Sequence, residues 1–224
     1  MNARGQDLKD FGAFDFGADK VQALKLTPVS RETQNQLEHF VDLLLLWQQK
    51  TNLISPSTIP TLWTRHVADS LQLLDHAPKA RSWVDFGSGG GFPGIPIACA
   101  LADQLGTMIH LVESNGKKAA FLREAVRATG APAQVNLGRI EKYSQGPVES
   151  VDAVTARALA PLKTLCDLAF PWIEKGAIGL FPKGQDVAAE LTEAAKYWNI
   201  DASTVPSKTS PEGCIVVVRG LKPR

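Results

Sequence analysis

Five glycines within eight residues give this sequence its clearest chemical signal. Residues 85–94 read Asp-Phe-Gly-Ser-Gly-Gly-Gly-Phe-Pro-Gly, directly after a β-rich run and directly before a helical pattern. Glycine allows a positive φ and lets the backbone approach a ligand closely. Because ligands of open α/β sheets bind outside the carboxyl ends of the strands, this loop predicts a ligand site. A tight turn between strand and helix, with no ligand, is the alternative.

Two acidic residues indicate the kind of ligand. Glu113 ends the next β-rich run, where its carboxylate could accept two hydrogen bonds from a ribose diol. Residues 89–94 match the dinucleotide pattern G-x-G-x-x-G, but Pro93 and Pro96 remove two of the N–H donors that a pyrophosphate needs. Asp85 would also repel a pyrophosphate, whereas it suits the ammonium and sulfonium of S-adenosylmethionine. The loop therefore favours a methyltransferase, and an NAD(P)-dependent oxidoreductase is the alternative.

From residue 82 onward, β-rich runs alternate with helical patterns. Strands are predicted at Ser82–Phe86, Met108–Glu113, Ala133–Leu137, Val151–Ala156, Ala177–Phe181, Asp201–Val205 and Cys214–Arg219. Helices are predicted at about 94–103, 116–129, 161–174 and 185–198. Such alternation is typical of a parallel sheet with right-handed crossovers, and the short turn before the last strand allows a hairpin. The predicted fold is α/β: a Rossmann-like, seven-stranded, mostly parallel sheet with helices on both faces and an antiparallel last strand.

Two helical patterns precede the first strand. The first, at about 31–50, follows Ser30, which can cap its free N–H groups, and the second covers about 58–77. Together they predict a helical cap on the sheet. The residues before them are aperiodic and predict a flexible, loosely packed arm whose role stays open. We divide the chain into an arm, a helical cap and a binding domain that forms one compact unit with the cap, at 1–29, 30–80 and 81–224.

The composition limits the classes of protein to which the chain can belong. Of its 224 residues, 44% are hydrophobic and 21% charged, which is typical of a globular protein and excludes a mainly disordered one. A net charge of +1 excludes a uniformly basic nucleic-acid binder but allows a local basic patch. The three distant cysteines form no zinc or disulfide pattern, and no segment resembles a signal peptide or a membrane span. We expect a cytoplasmic protein that binds neither a membrane nor a metal.

Several short motifs give the chain a specific resemblance. They occur in order between residues 52 and 184, and Gly-Ser-Gly-Gly-Gly-Phe-Pro-Gly-Ile-Pro is the most specific of them. The chain resembles the ribosomal small-subunit methyltransferase G family, also called glucose-inhibited division protein B. The motif residues are Asn52, Leu53, His66, Asp69, Ser70, Asp85 to Gly94, Glu113, Ser114, Lys117, Lys118, Phe121, Leu122, Arg139, Glu141, Arg157, Ala158, Lys183 and Gly184.

This resemblance implies a class I methyltransferase that uses S-adenosylmethionine and releases S-adenosylhomocysteine. The implied substrate is small-subunit rRNA or the 30S particle, and the implied product is 7-methylguanine at position 527 of 16S rRNA. We expect the protein to be a monomer. The expected donor contacts are Asp85, Gly87, Gly89, Gly91, Phe92, Glu113, Ile140, Glu141 and Arg157. Two other functions stay open: a methyltransferase acting on small molecules or proteins, and a non-catalytic RNA-binding protein with the same fold.

The implied acceptor atom sets the expected mechanism. Guanine N7 carries a free lone pair, so methylation there needs no general base, and catalysis would come from alignment and the exclusion of water. Arg157 is the expected positioning residue. Residues 155–159 read Thr-Ala-Arg-Ala-Leu, which differs from the Asn-Pro-Pro-Tyr type of motif expected for methylation of an exocyclic amine. We expect the guanine to lie in a loop or to be extruded from its stack.

Basic residues near the predicted ligand edge are candidates for binding RNA. Lys117 and Lys118 open a helix, where the helix dipole disfavours positive charge, so rRNA phosphates would explain them. The expected RNA contacts are Arg65, Lys117, Lys118, Arg123, Arg139 and Lys183. The alternatives are a solvated helix face, surface ion pairs for the arginines that follow strands, and a turn lysine at position 183.

His66, Asp69 and Ser70 share one side of the second predicted helix. We expect them at the contact between cap and sheet, where they would fix the cap over the donor pocket. A buried histidine satisfied by a neighbour is the alternative. No nucleophile elbow accompanies these residues, so they do not indicate a hydrolytic triad.

Overall fold

One sheet organises the protein in the computed structural model, which describes residues 16–143 and 150–224. Its strands are β1 Ser82–Phe86, β2 Met108–Glu113, β3 Ala133–Leu137, β4 Ala153–Ala156, β5 Ile178–Lys183, β6 Trp198–Pro206 and β7 Cys214–Pro223. In this part of the chain the seven strands pair in the order β3-β2-β1-β4-β5-β7-β6. β1 to β5 pair in parallel, whereas β7 lies antiparallel between β5 and β6. The predicted sheet, with its antiparallel last strand, is confirmed.

Helices cover both faces of this sheet. They are α1 Gly17–Leu26, α2 Arg31–Gln48, α3 Gly94–Ala100, α4 Gly116–Thr129, α5 Ile140–Tyr143, α6 Leu162–Ile173 and α7 Val187–Ala194. Successive strand residues point to opposite faces, so each strand contributes to two cores. Trp83 packs with α2, α3 and α4 in one core, whereas Val84 and Phe86 pack with α6 in the other. The predicted helical cap therefore shares a core with the sheet.

The second predicted helix is helical but is not a regular α-helix. It consists of a 3₁₀-helix at Pro56–Thr61, a π-helix at Trp63–Ala68, an α-turn at Asp69–Leu71 and a 3₁₀-helix at Gln72–His76. We refer to residues 56–76 as the irregular helix. Pro60 lies inside its first segment and supplies no backbone N–H, which favours irregular winding. Short π-helices are frequent at functional sites, and this one carries His66.

The prediction of an aperiodic arm over 1–29 is wrong for residues 17–26, which form α1. Asp19 fixes this helix to the irregular helix, because its carboxylate accepts a hydrogen bond from the backbone N–H of Trp63 at 2.7 Å. This contact is polar and distant in sequence, so it leaves no periodic apolar pattern. Residues 1–15 of the predicted arm lie outside the described residues.

Several other element boundaries differ from the prediction, among them the ends of β4, β5 and β7. The helix predicted over 185–198 ends at Ala194, and Trp198 instead begins β6. The Trp198 indole N–H donates to Asp167 at 2.9 Å, which anchors the start of that strand against α6. The short helix α5 was not predicted. Within the ranges 16–143 and 150–224, no helix is long and apolar enough to cross a membrane.

Candidate active site

Two adjoining cavities lie at the carboxyl ends of the parallel strands. The narrow cavity has a volume of about 410 Å³ and is walled by Glu113 and the start of α5. The wide cavity has a volume of about 1010 Å³ and extends from the irregular helix to the turn between β6 and β7. Both cavities are lined by Gly87, Gly89, Lys118 and residues 157–160. We call this shared set the junction, because it forms the wall common to both cavities.

Glu113 ties the glycine loop to the end of β2. Its carboxylate accepts hydrogen bonds from the backbone N–H groups of Gly89 at 2.9 Å and Asn115 at 2.7 Å. Each carboxylate oxygen has a further lone pair, and the side chain lies in the wall of the narrow cavity. The predicted ribose-binding acid is therefore held in place by the protein itself.

Asp85 is fully buried at the end of β1 and lines neither cavity. Its Oδ2 accepts a hydrogen bond from the Gly94 N–H at 3.2 Å, and its Oδ1 has no hydrogen-bond partner among the described residues. Burial raises the pKa of Asp85 to about 7, and the nearby charge of Arg157 opposes this shift. In this geometry Asp85 would act on a donor through its electric field and the loop that it holds.

Asp85→Asn should change how stability depends on pH. A carboxyl whose pKa is raised on folding stabilises the protein while protonated, and this contribution is lost as the pH rises from about 4 through about 7. Relative to the wild type, the variant should therefore gain up to about 4 kcal/mol across that window. Urea unfolding of both proteins from pH 4 to 8 measures the difference. A constant difference would mean that Asp85 ionises at its ordinary pKa.

The first turn of α3 has no backbone donor left for a pyrophosphate. Gly94 donates to Asp85, and Ile95 and Ile97 donate to backbone carbonyls of the glycine loop at 2.8 Å and 3.2 Å. Pro96 has no N–H. Pyrophosphate binding at a helix start depends on free N–H groups. The geometry therefore disfavours the dinucleotide alternative.

Arg157 follows β4 and is held at the junction from several sides. Its Nη2 lies 2.7 Å from Nδ1 of His66, and its Nη1 donates to the backbone carbonyl of Arg65 at 3.2 Å. Nη1 also lies 3.6 Å from a carboxylate oxygen of Asp69. The guanidinium stands 5.1 Å from the ring centre of Phe92. Burial lowers the pKa of Arg157, but an arginine stays charged at neutral pH.

His66 is a buried, neutral histidine. Burial, together with the charges of Arg157 and Arg65, lowers the pKa of His66 to about 3. Its ring lies 4.9 Å from the ring of Phe92, and its Nε2 lies 2.7 Å from Oγ1 of Thr58. The predicted alternative of a buried histidine satisfied by its neighbours therefore applies, and one of these neighbours is the arginine at the junction.

Asp69 connects Arg157 to the turn between β6 and β7. Its Oδ1 accepts hydrogen bonds from Thr209 at 2.6 Å and from Gln72 at 2.9 Å. Gln72 in turn accepts a hydrogen bond from the backbone N–H of Lys208 at 2.8 Å. This turn was not predicted as part of the site, because its polar residues match no motif.

The predicted RNA contacts differ in their exposure. Lys183 is an internal residue: its side chain is 9% exposed, and it donates to Glu190 at 2.6 Å and to the carbonyl of Ala160 at 2.8 Å. It therefore supports the junction and is not an exposed basic residue at the ligand edge. Lys118 is half-buried at the junction. The exposed members are Arg65, Lys117, Arg123 and Arg139.

The other predicted donor residues are placed as follows. Ile140 and Glu141 line the narrow cavity, whereas Phe92 lines the wide cavity and is 4% exposed. Gly91 lines neither cavity. A side chain at Gly91 would meet Cζ of Phe40 at 3.0 Å, so this glycine serves the packing of α2 against the loop.

The strand order, with its antiparallel last strands, and the cavities at the strand ends are those of the class I methyltransferase fold. A putative O-methyltransferase from Klebsiella pneumoniae has a similar structure, with a TM-score of 0.57 and 12% identity over 92% of this chain and 97% of that chain. An O-methyltransferase from Bacillus cereus, solved in complex with SAH, has a TM-score of 0.56 and 15% identity, covering 90% and 96% of the two chains. At these identities the likeness shows the fold.

Sequence comparison gives the family. The family model described as rRNA small subunit methyltransferase G matches residues 33–215, and the chain belongs to that family. A relative of that name from Bradyrhizobium sp. strain BTAi1 is 60% identical over 205 residues, which are 90% of each chain. Another, from Rhodopseudomonas palustris strain HaA2, is 59% identical over 199 residues, covering 89% of this chain and 84% of the relative. The resemblance drawn from the motifs is confirmed.

Proposed function

We propose that this protein transfers a methyl group from S-adenosylmethionine to N7 of guanine 527 in 16S rRNA, giving 7-methylguanine and S-adenosylhomocysteine. The observation that carries the proposal is the junction, where Arg157 lies in the wall of both cavities. The names of the curated relatives support small-subunit rRNA as the substrate. The sequence motifs support guanine N7 as the acceptor atom.

The narrow cavity suits the adenosine end of the donor. Glu113 offers lone pairs to a ribose diol there, and Ile140 and Glu141 line the same cavity. S-adenosylmethionine supplies the methyl group on a positively charged sulfonium. The buried Oδ1 of Asp85, which has no hydrogen-bond partner among the described residues, makes the loop a favourable place for such a charge.

The wide cavity suits the acceptor nucleotide. Its volume of about 1010 Å³ lies at the upper end of the range typical of ligand sites. Bases that are recognised outside a duplex often stack on an aromatic ring or on an arginine plane. Phe92 is 4% exposed and already contacts His66 and Arg157. We therefore expect the guanine to meet the guanidinium of Arg157 and not the ring of Phe92.

The side chains bonded to Arg157 are not available as proton acceptors. His66 accepts from Arg157 through Nδ1, and Asp69 is held by Arg157 and the β6–β7 turn. Attack by N7 needs no base, so the reaction requires these groups only to hold the arginine and to keep water out. The arrangement agrees with a reaction that depends on alignment.

Mass spectrometry of rRNA nucleosides tests this proposal. Naked 16S rRNA and 30S particles that lack the modification are incubated with the protein and methyl-labelled S-adenosylmethionine, and the RNA is then digested. We expect labelled 7-methylguanosine at position 527 and none when that guanine is replaced. Label found only on a protein or a small molecule would favour the alternative of a methyltransferase that acts on such substrates. RNA binding without donor binding would favour a non-catalytic RNA-binding protein. Binding of a nicotinamide dinucleotide would favour an NAD(P)-dependent oxidoreductase.

Two further proposals concern the cellular compartment of the reaction and the oligomeric state of the enzyme. Methylation would take place in the cytoplasm, where ribosomal subunits assemble. We also propose that a monomer is the active unit. Light scattering of the active protein tests this, and a stable dimer would contradict it.

Changing Lys117 and Lys118 together to alanine should weaken RNA binding regardless of sequence. The Asn115 side chain caps α4 by accepting from the backbone N–H groups of both lysines, which puts their charges at the disfavoured end of the helix dipole. Loss of up to two phosphate contacts would reduce the slope of log affinity against log salt by about 1.4 to 1.8. Filter binding across salt concentrations measures this slope.

The matched control for this experiment changes Lys79 and Lys222 to alanine. These lysines are exposed near the amino ends of the parallel strands, at the edge opposite the cavities. Their loss should leave the slope unchanged and should change donor affinity by less than about twofold. An unaltered slope for the Lys117/Lys118 variant would mean that these lysines form a solvated helix face and do not contact RNA phosphates.

A further inference from the structure

A chain of hydrogen bonds leads from Arg157 to the start of the irregular helix. A guanidinium has only donors, so the 2.7 Å contact between Arg157 Nη2 and His66 Nδ1 requires that Nδ1 accepts. The proton of the neutral ring then lies on Nε2, which donates to the Thr58 hydroxyl at 2.7 Å. That hydroxyl donates to the carbonyl of Ser55 at 2.7 Å. The structure thus defines one tautomer of His66.

The ring of His66 and the guanidinium of Arg157 share a second support. Phe92 lies 4.9 Å from the imidazole and 5.1 Å from the guanidinium, measured to the ring centres. The Arg65 carbonyl and the Asp69 carboxylate contact the opposite nitrogen, Nη1. The arginine therefore meets acceptors on both terminal nitrogens and an aromatic ring.

The histidine must stay unprotonated for this arrangement to hold. A doubly protonated ring would present an N–H to the guanidinium and place two cations in contact. The groups around it favour the neutral form, because Arg157 and Arg65 are cations and the ring is only 7% exposed. Asp69 is the neighbouring anion, and its oxygens are directed to Arg157, Thr209 and Gln72.

We propose that His66 is a positioning residue whose unprotonated Nδ1 holds the Arg157 guanidinium in one orientation at the junction. This inference rests on the proposed function only for its catalytic consequence. Arginine has a long side chain with much rotamer freedom, and it gains precision when its planar fork is fixed in advance. A small misplacement of a group that aligns reactants can cost up to 100-fold in rate.

Nuclear magnetic resonance of the unliganded protein tests the geometry directly. With ¹⁵N-labelled histidine, one of the four histidines should show an unprotonated Nδ1 and a protonated Nε2 that do not change from about pH 5 to 8. His66→Asn identifies this signal by its loss. With ¹⁵N-labelled arginine, the terminal nitrogens of Arg157 should rotate slowly and give separate resonances. Titration of His66, the opposite tautomer or a freely rotating Arg157 would overturn the proposal.

A matched pair of variants tests whether His66 acts through Arg157. Asparagine places its amide oxygen near the position of Nδ1, whereas glutamine reaches the position of Nε2 and leaves Arg157 without this acceptor. Slow rotation of Arg157 should persist in His66→Asn and disappear in His66→Gln. The single-turnover rate should fall about threefold in the first and about 30-fold in the second.

Two further measurements separate positioning from a general structural role. The two variants should have similar melting temperatures, and the dissociation constant of S-adenosylmethionine should differ by less than about threefold between them. Equal rate losses, or fast rotation of Arg157 in both variants, would overturn the proposal. If the wild type methylates no rRNA, the proposed function fails, whereas the rotation of Arg157 in the two variants still decides the role of His66.

Discussion

Gly87→Val should weaken binding of S-adenosylmethionine at least about 100-fold, or about 2.7 kcal/mol, in a protein that still folds. Gly87 has a φ of 64°, which β-branched residues rarely adopt. A Cβ atom there would lie 2.7 Å from Cδ1 of Leu159. Leu159 is therefore the first group that the new side chain would meet. Since Leu159 lines both cavities, its displacement should deform the junction.

Titration calorimetry with two controls measures this effect. Gly116→Val makes the same substitution where nothing lies within 4 Å of the new Cβ atom, and donor affinity should change by less than about twofold. Gly87→Ala combined with Leu159→Ala removes the contacting methyl groups and should bind the donor more tightly than Gly87→Ala alone. Unchanged affinity in a folded Gly87→Val protein would mean that the glycine loop is not the donor site.

Local signals explain why some elements were predicted with their observed ends. α4 begins after Asn115, whose side chain caps it, and ends before Gly130, which has a φ of 66°. Capping residues and an apolar helical period lie within the helix itself, so they can be read without knowing the fold. The first three strands were also predicted with their observed bounds, since each is a short β-rich run between turn residues.

Elements that depend on distant contacts were not predictable in this way. α1 buries only Ala23 among its ten residues and is fixed by Asp19 to backbone N–H groups more than 40 residues away. Trp198 continues the helical pattern of α7, but its contacts with Asp167 and Phe170 place it in a strand. Tertiary contacts override local propensity at both places.

The candidate site was predictable as far as topology determines it. Gly87, Glu113 and Arg157 follow neighbouring parallel strands, so their convergence at one edge follows from the strand order. The orientation of each side chain does not follow. Lys183 also ends a strand, yet its side chain is buried and pairs with Glu190, so it is not exposed at the ligand edge. Asp85 lies one residue before the end of β1 and is buried away from both cavities, where Gly94 donates to one of its oxygens.

Arg157→Ala should lower the single-turnover rate of methyl transfer about 100-fold at every pH from about 6 to 9. Removing one fixed donor that aligns reactants or stabilises developing charge typically costs 100- to 1000-fold. The loss should not depend on pH, because the variant removes positioning and charge and not a proton route. Arg157→Lys keeps the charge but loses the planar fork, so its rate should lie between the rates of the wild type and of Arg157→Ala. Melting temperatures check that both variants fold.

The rate should also be nearly flat with pH in the wild type, which separates attack by N7 from base-assisted reactions. His66 cannot supply an acid limb in this range, since burial and two neighbouring arginines lower its pKa to about 3. Asp85, with a pKa of about 7, lines neither cavity, so its ionisation should change donor affinity and not the chemical step. The profile is therefore measured at saturating donor, with Asp85→Asn as the control. A bell-shaped profile whose acid limb disappears in His66→Asn would contradict this account and favour a base-assisted reaction at a different acceptor atom.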